Sequence, residues 1–197
     1  MSVSDCASLA GNATKIAARG FGWTHAGRSE AALSDIDVVI EPGERVLLCG
    51  DSGSGKSTLL AAMAGVLGSD EEGTRTGELL LEDSSGLVEE PGHTIPVGLV
   101  LQDPDSQVIS ARVGDDIAFG CENLAYPREE IWRRVTAAKE LVGPFVDLDF
   151  PTERLSGGQK QRLALAGVIA MGAGVVLLDE PTANLDPAGA RDVVRAV

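Results

Sequence analysis

The chain has 197 residues, which is enough for one domain with a sizeable buried core. Its formal net charge of −14 argues against a broad nucleic-acid-binding face, because phosphate contacts need clusters of lysine and arginine. The three cysteines, Cys6, Cys49 and Cys121, show no metal-ligand spacing and give an odd count, which favours a reduced cytosolic protein.

The N-terminal part of the chain is predicted to be rich in β-structure. Residues 1–11 include Asp5 and lack the basic start and apolar core of a signal peptide. Strands are predicted near residues 14–23, 36–41 and 78–82, and Pro42 with Gly43 marks a turn among them. Residues 45–49, which read RVLLC, predict a buried strand in which Cys49 packs.

A glycine-rich loop follows that strand at residues 50–57, which read GDSGSGKS. This is the phosphate-binding pattern G-x-x-x-x-G-K-[ST]: glycines let backbone N–H groups surround phosphates, Lys56 supplies a positive charge and the Ser57 hydroxyl can bind Mg²⁺. Residues 58–67 predict an apolar helix whose N-terminus faces the same phosphates. The alternative is a flexible Gly/Ser loop without a ligand.

A second pattern, LSGGQKQR at residues 155–162, precedes an apolar helical stretch at residues 163–171. Ser156 and Gln159 form an S-x-x-Q capping box, and Gly157 with Gly158 leaves bare backbone at the helix start, which suits an anion. Many helices begin with such a cap and bind nothing. The local pattern alone therefore leaves both interpretations open.

The third pattern, VVLLDEP at residues 175–181, is an apolar run of strand length that ends in Asp179 and Glu180. Ligands of parallel sheets bind at the carboxyl ends of the strands, where these carboxylates would lie. A strand that simply ends in two solvated acids is the alternative. The uncharged residues 163–178 are slightly short for a bilayer helix, and Gly167, Gly172 and Gly174 divide them into helix, turn and strand. Membrane contact is therefore expected to occur through a partner.

These three patterns and ANLDP at residues 183–187 occur in one order that resembles the ATP-binding cassette (ABC) ATPase domain over nearly the whole chain. The resemblance implies an α/β fold: a P-loop NTPase core with an N-terminal antiparallel β subdomain and an inserted helical subdomain. It divides the chain into a core of residues 1–102 and 154–197 and a helical subdomain of residues 103–153. The whole is expected to be a single domain, incomplete at its C-terminus.

The resemblance also assigns roles to individual residues. Glu180 would be the general base, Gln102 would sense the γ-phosphate, Ser57, Gln102 and Asp179 would hold Mg²⁺, and Asp186 would lie at a dimer seam. Trp23 would stack on adenine, with Phe21 as a competitor and ordinary core packing as the alternative for both. The ATP of the same chain would contact Gly50, Asp51, Ser52, Gly53, Ser54, Gly55, Lys56, Ser57 and Thr58. The ATP of a partner subunit would contact the signature residues Leu155, Ser156, Gly157, Gly158 and Gln159.

One piece of the family pattern is absent before the last residue, Val197. The family places a histidine that bonds the γ-phosphate after the strand that follows the 183–187 segment, whereas His25 and His93 both precede the signature and are predicted to lie in exposed loops. We therefore expect the 197-residue chain to bind MgATP and to hydrolyse it slowly or not at all when alone. Steady-state phosphate release at ordinary ABC rates would contradict this expectation.

Three segments of the middle region make the resemblance more specific: VLQDPDSQ at 100–107, VGDDIAFG at 113–120 and ENLAYPREEIWRRV at 122–135. They look like the ATPase subunits of energy-coupling factor transporters, which import vitamins or transition-metal ions such as cobalt or nickel. The clearest helix of this region is predicted at residues 128–142, where apolar residues recur at helical spacing.

The energy-coupling factor resemblance implies partners and a place in the cell. The chain would pair with an identical or related ATPase subunit, and it would act with a transmembrane scaffold protein and a substrate-capture membrane protein. It would lie peripherally at the cytoplasmic face of the membrane and bind no nucleic acid. The transported substrate cannot be read from the ATPase sequence.

Two other functions stay open at this point. One is a soluble ABC ATPase that acts in DNA repair or translation, although the acidic charge and the lack of sustained heptads between P-loop and signature argue against it. The other is a regulatory module that binds ATP without hydrolysing it. A P-loop GTPase is excluded, because no N-K-x-D motif follows Glu180.

Overall fold

The computed structural model describes residue 9 and residues 11–67, 73–143, 145–183 and 190–191. The chain divides into two compact units. One comprises residues 12–99, and the other comprises residues 1–11 together with residues 100–197. Within the described ranges, no helix is long and apolar enough to span a bilayer.

The unit of residues 12–99 contains a four-stranded antiparallel sheet with the order β2-β1-β3-β4. Its strands are β1 (Lys15–His25), β2 (Leu33–Ile40), β3 (Gly73–Glu82) and β4 (Val88–Glu89). Alternating residues of β1 and β3 are buried, as expected for a sheet with one solvated face. The buried members of β1 and β3 include Ile16, Ala18, Phe21, Trp23, Leu79 and Leu81.

A bulge in β1 explains why the buried residues change from even to odd numbers along this strand. The register of β1 against β3 shifts between Arg19 and Gly22, and Gly20 in that interval has φ = 54°. The Gly20 N–H donates to Asp37 Oδ1 on β2 at 2.8 Å. An inserted residue reverses the alternation, so Phe21 continues the buried face begun before the bulge.

The predicted strands near residues 14–23, 36–41 and 78–82 are confirmed as β1, β2 and β3, but their extents differ. β1 ends two residues later than predicted, β2 begins three residues earlier, and β3 differs most. β3 begins at Gly73, five residues before the predicted start, although its first residues, GTRTG, have weak strand preference. These residues pair with the second half of β1, where Trp23 opposes Arg75 and His25 opposes Gly73. Pairing with an existing strand outweighs local preference here.

The prediction of a buried strand at residues 45–49 is wrong. The segment has no regular structure and is exposed, with Leu47 86% accessible, and Cys49 is exposed as well. An apolar run becomes a strand only where neighbours complete its hydrogen bonds, and within the described residues no strand pairs with this segment. The sequence pattern carried no information on such partners.

The first helix, α1 (Lys56–Met63), starts two residues earlier and ends four residues earlier than predicted. Ala64 caps its C-terminus and Gly65 follows with φ = 72°. A left-handed residue cannot continue a right-handed helix, so the apolar residues after it do not extend α1.

The other unit is built around three helices that pack on one another: α2 (Val113–Asn123), α3 (Arg128–Ala138) and α4 (Gly157–Met171). The predicted helix at 128–142 is present as α3, and a short 3-10 turn at Lys139–Leu141 continues it. Its apolar positions face the core, with Ile131, Val135, Ala138 and Val142 all buried, as the periodicity predicts.

The uncharged residues 163–178 form the predicted helix, turn and strand. α4 ends at Met171, Gly172 caps it in the left-handed conformation, and a short strand, β6 (Val175–Leu178), follows. β6 forms a two-stranded sheet with β5 (Val97–Val100). Gly167, which was expected to interrupt the run, instead lies inside α4.

The side chains of Asp116 and Arg134 connect segments of this unit through hydrogen bonds to backbone groups. Asp116 on α2 accepts hydrogen bonds from the backbone N–H groups of Ile109 and Ser110, both at 2.8 Å, and burial raises the pKa of its carboxyl despite these bonds. Arg134 on α3 donates to the carbonyl oxygens of Ala170 at 3.0 Å and Leu9 at 3.3 Å. Arg134 thereby ties α3 to the C-terminal end of α4.

Candidate functional site

The glycine-rich loop at residues 50–57 leads directly into α1, as predicted. Gly55 is the residue before the helix and has φ = 89°, a conformation that favours glycine. A Cβ atom on Gly55 would lie 2.6 Å from the carbonyl oxygen of Ala32, closer than any side chain tolerates. Glycine is therefore required at position 55 for two reasons, the positive φ and the nearby carbonyl oxygen of Ala32.

Lys56 is the first residue of α1, and its ammonium group is held inside its own loop. Nζ donates to the carbonyl oxygens of Gly50 at 2.9 Å and Asp51 at 2.8 Å. Among the described residues, no side chain caps the N-terminus of α1, so its first N–H groups are not satisfied by a cap. A helix N-terminus beside a lysine is an arrangement that attracts phosphate oxygens.

The carboxylates at the end of β6 stand beside Gln102. The Asp179 N–H donates to the carbonyl oxygen of Val100 at 2.8 Å, which extends the strand pairing to the carboxylates. Gln102 Nε2 donates to Glu180 Oε2 at 3.0 Å, although 78 positions separate the two residues. Glu180 has φ = 48°, an uncommon conformation for a residue with a side chain. The structure thus brings together two residues for which the sequence predicts a role in hydrolysis.

The signature segment begins α4 with the predicted capping box. The Gln159 N–H donates to Ser156 Oγ at 3.3 Å, and the Ser156 N–H donates to Gln159 Oε1 at 2.8 Å. Gly157 and Gly158 are the first two residues of the helix, whereas Leu155 before them is buried. The open glycine backbone at this helix start suits an anion.

Two further residues of α4, which the sequence analysis did not single out, contact the segment that carries Gln102. Gln161 Nε2 donates to the carbonyl oxygen of Leu101 at 3.2 Å, and Lys160 pairs with Asp105. The hint in the sequence is that both residues lie within the LSGGQKQR pattern, directly after Gln159. Their partners lie more than fifty positions away and could not be inferred from local patterns.

The candidate adenine-stacking residues are both buried in β1. Trp23 is 3% exposed, and its Nε1 donates to His25 Nδ1 at 3.2 Å while the two rings meet edge to face. Stacking on a base needs an open ring face, which neither Trp23 nor Phe21 presents here. The adenine contact of Trp23 therefore remains a prediction.

One of the two histidines lies in a strand and the other lies in a loop. His25 was expected in an exposed loop, but it is the last residue of β1 and is half-buried, because β1 continues two residues beyond its predicted end. His93 does lie in an exposed loop.

The remaining predicted site residues are placed as follows. Ser57 and Thr58 are in the first turn of α1 with Lys56, in the unit of residues 12–99, while the signature and the strand-end carboxylates belong to the other unit. Asp186 lies outside the described residues. Among the described residues, no cluster of three or more histidine, cysteine or acidic side chains could hold a metal ion.

Comparison with known proteins agrees with this arrangement of motifs. The family model described as ABC transporter matches residues 33–183. The energy-coupling factor transporter ATP-binding protein EcfA1 of Caldanaerobacter subterraneus subsp. tengcongensis is 42% identical over 170 residues, which are 86% of this chain and 60% of that protein. EcfA of Methanocaldococcus jannaschii is 42% identical over 171 residues, which are 84% of this chain and 58% of that protein. The chain thus spans about three fifths of the length of these two relatives.

Solved structures support the same assignment. CbiO1 from Clostridium perfringens, part of the ABC transporter complex CbiONQ, aligns with a TM-score of 0.72 at 33% identity, over 92% of this chain and 71% of that one. The ATP-binding cassette MJ0796, in a dimeric post-hydrolysis state bound to ADP and Pi, aligns with a TM-score of 0.74 over 92% of this chain and 80% of that one. At 21% identity, the second likeness supports the fold alone. The chain belongs to the ABC transporter family of ATP-binding proteins.

Proposed function

We propose that this chain is the nucleotide-binding part of an ATPase subunit of an energy-coupling factor importer. It would bind and hydrolyse ATP to drive uptake of a vitamin or a transition-metal ion through a membrane partner. The observation that carries the hydrolytic role is the contact between Gln102 and Glu180, which joins the ends of two separate segments beside Asp179. The similarity to EcfA1 and EcfA supports the transporter class over a soluble ATPase.

Nucleotide binding would exchange the partners of Lys56. In the structure, its ammonium group is held by two neutral carbonyl oxygens of the loop. Phosphate oxygens carry negative charge and form stronger, charge-assisted bonds, so they would replace these carbonyls. The N–H groups at the start of α1 would complete the contact.

The candidate ligands of Mg²⁺ fit a hard cation, because the hydroxyl of Ser57, the amide of Gln102 and the carboxylate of Asp179 all offer oxygen. When bound with ATP, Mg²⁺ would neutralise charge that develops on the transferred phosphoryl group. Glu180 would accept a proton from the attacking water, and Gln102 would hold the carboxylate of Glu180 in position through the bond described above.

The proposed active form is a head-to-tail pair of ATPase subunits, identical or related. ATP on the loop around Lys56 of one copy would be covered by the signature, from Leu155 to Gln159, of the other. Asp186 would lie near the seam. Closure of the pair would move a membrane scaffold that acts with a substrate-capture protein, and the ATPase would lie peripherally at the cytoplasmic face.

Nucleotide titration tests the binding site directly. Lys56→Ala removes the charge that faces the phosphates, so we expect a loss of ATP affinity of at least about 10-fold, because one charge-assisted bond is worth about 1.5–3 kcal/mol. Lys15→Ala is a matched control, since Lys15 lies in the same unit and pairs only loosely with Glu41 at 3.6 Å. Equal ATP affinity of wild type and Lys56→Ala would refute the site.

The transporter class needs a separate experiment. We would tag the protein in its native cell, extract it in mild detergent and identify what co-purifies. A small polytopic membrane protein is the expected result. Recovery with ribosomes or DNA-repair proteins would instead support a soluble ABC ATPase.

A further inference from the structure

The helix that begins with the signature also reaches the segment that carries Gln102. Gln161 lies in the second turn of α4, is 1% exposed and donates from Nε2 to the carbonyl oxygen of Leu101 at 3.2 Å. Lys160, beside it on the helix, pairs with Asp105 of the same segment. Two adjacent side chains therefore connect α4 to residues 101–107.

Stability does not explain an amide at position 161. Its Oε1 is the buried side-chain polar atom without a hydrogen-bond partner among the described residues. A buried unsatisfied acceptor costs about 1–3 kcal/mol, whereas a typical hydrogen bond contributes about 0.5–1.5 kcal/mol. An apolar side chain of the same length would remove this cost and give up one hydrogen bond, so its net effect on stability is expected to be small.

The bond from Gln161 has a specific geometric consequence. The Leu101 carbonyl belongs to the peptide unit that joins Leu101 to Gln102, and a peptide unit is planar. Gln107 Oε1 accepts from the N–H of Leu101 at 2.8 Å, so side-chain amides hold the backbone of Leu101 on both sides. Fixing these two peptide groups fixes the position of the Gln102 Cα atom, from which the side chain reaches Glu180.

We propose that Gln161 is a positioning residue, whose buried amide holds the Leu101–Gln102 peptide and thereby places Gln102 against Glu180. Its effect on catalysis rests on the proposed function. In the proposed pair, the start of α4 covers the nucleotide of the partner subunit while Gln102 serves the nucleotide of its own chain. Gln161 thus transmits a displacement of the signature helix at one nucleotide to the hydrolytic groups at the other.

The test compares wild type with Gln161→Met, which keeps the length of the side chain and removes its donor. The control is Gly167→Ala in the same helix, where a Cβ atom would meet nothing within 4 Å. Three quantities are measured: the melting temperature, the hydrogen exchange of the backbone amides of residues 101–107 without nucleotide, and kcat and KM for ATP.

For Gln161→Met we expect an unchanged or higher melting temperature, and amide exchange in residues 101–107 that is about five-fold faster, as the loss of one hydrogen bond predicts. We expect kcat to fall while KM for ATP stays within about two-fold, because the hydrogen bond acts on Gln102 and not on the phosphate loop. Gly167→Ala should match wild type in exchange and kinetics.

Two results would overturn the proposal. Unchanged exchange in residues 101–107 would mean that Gln161 does not hold this segment. A melting temperature lowered by more than about 5 °C would make Gln161 an ordinary packing residue. Exchange and melting need no nucleotide, so they decide the matter even if the 197-residue chain hydrolyses ATP too slowly to measure. An unchanged ATP affinity of Lys56→Ala would count against the proposed function alone.

Discussion

Arg134 and Arg133 are adjacent on α3 and both pair with Glu130, but we predict that only Arg134 contributes much to stability. Arg133 holds Glu130 through two bonds of 2.7 Å with its side chain 52% exposed. Arg134 holds the same carboxylate at 2.6 Å with its side chain 15% exposed, and it also donates to the carbonyl oxygens of Ala170 and Leu9. The two arginines therefore share one partner and differ in burial.

The magnitude follows from the carbonyl contacts. Hydrogen bonds from a charged donor are worth about 1.5–3 kcal/mol each, and two that share a donor do not add fully. We expect Arg134→Met to lower the free energy of unfolding by about 2–4 kcal/mol. For a chain of this size that corresponds to a melting temperature lower by about 5–15 °C.

Circular dichroism melts of Arg134→Met and Arg133→Met provide the measurement. Arg133→Met should melt close to wild type, because exposed ion pairs contribute little. Equal losses in both variants would refute the reasoning, since they would show that the shared pair with Glu130 within α3, and not the carbonyl contacts of Arg134, accounts for the lost stability.

Two further predictions concern the replacement of loop glycines and the pH dependence of stability. Gly55→Ala combines a positive φ with a clash against the carbonyl oxygen of Ala32. It should therefore lower the melting temperature more than Gly53→Ala, because at Gly53 φ is 81° but an added Cβ atom meets nothing within 4 Å. Equal melting temperatures of the two variants would contradict this. Burial raises the pKa of the Asp116 carboxyl in the folded state. As the pH rises, this carboxyl therefore loses its proton more readily in the unfolded state, and the wild type loses stability above about pH 4. Asp116→Asn keeps an acceptor and removes this titration. Urea unfolding should therefore show a gain of the variant over wild type that grows with pH, whereas a constant difference would contradict it.

The local motifs were predictable from the sequence because each depends on neighbouring residues. The glycine loop before Lys56, the capping box of Ser156 and Gln159 and the strand that ends at Asp179 all lie where the patterns place them. Each is decided within about eight residues by backbone geometry or by a cap.

What could not be predicted depends on distant partners. Residues 45–49 have the composition of a strand, yet their structure depends on neighbours that the pattern does not specify. The early start of β3 is decided by pairing with β1. The contact of the Gln102 side chain with Glu180, like that of the Gln161 side chain with the backbone carbonyl of Leu101, joins segments that no local period connects.

The capping box has a consequence for how a second subunit would be recognised. Because Ser156 and Gln159 satisfy each other within one chain, the start of α4 is already ordered before any ligand arrives. A nucleotide that docks there would find rigid backbone and not a loop that must first fold, so association would lose little conformational entropy at this point. A preformed surface of this kind therefore favours rapid engagement of a second subunit.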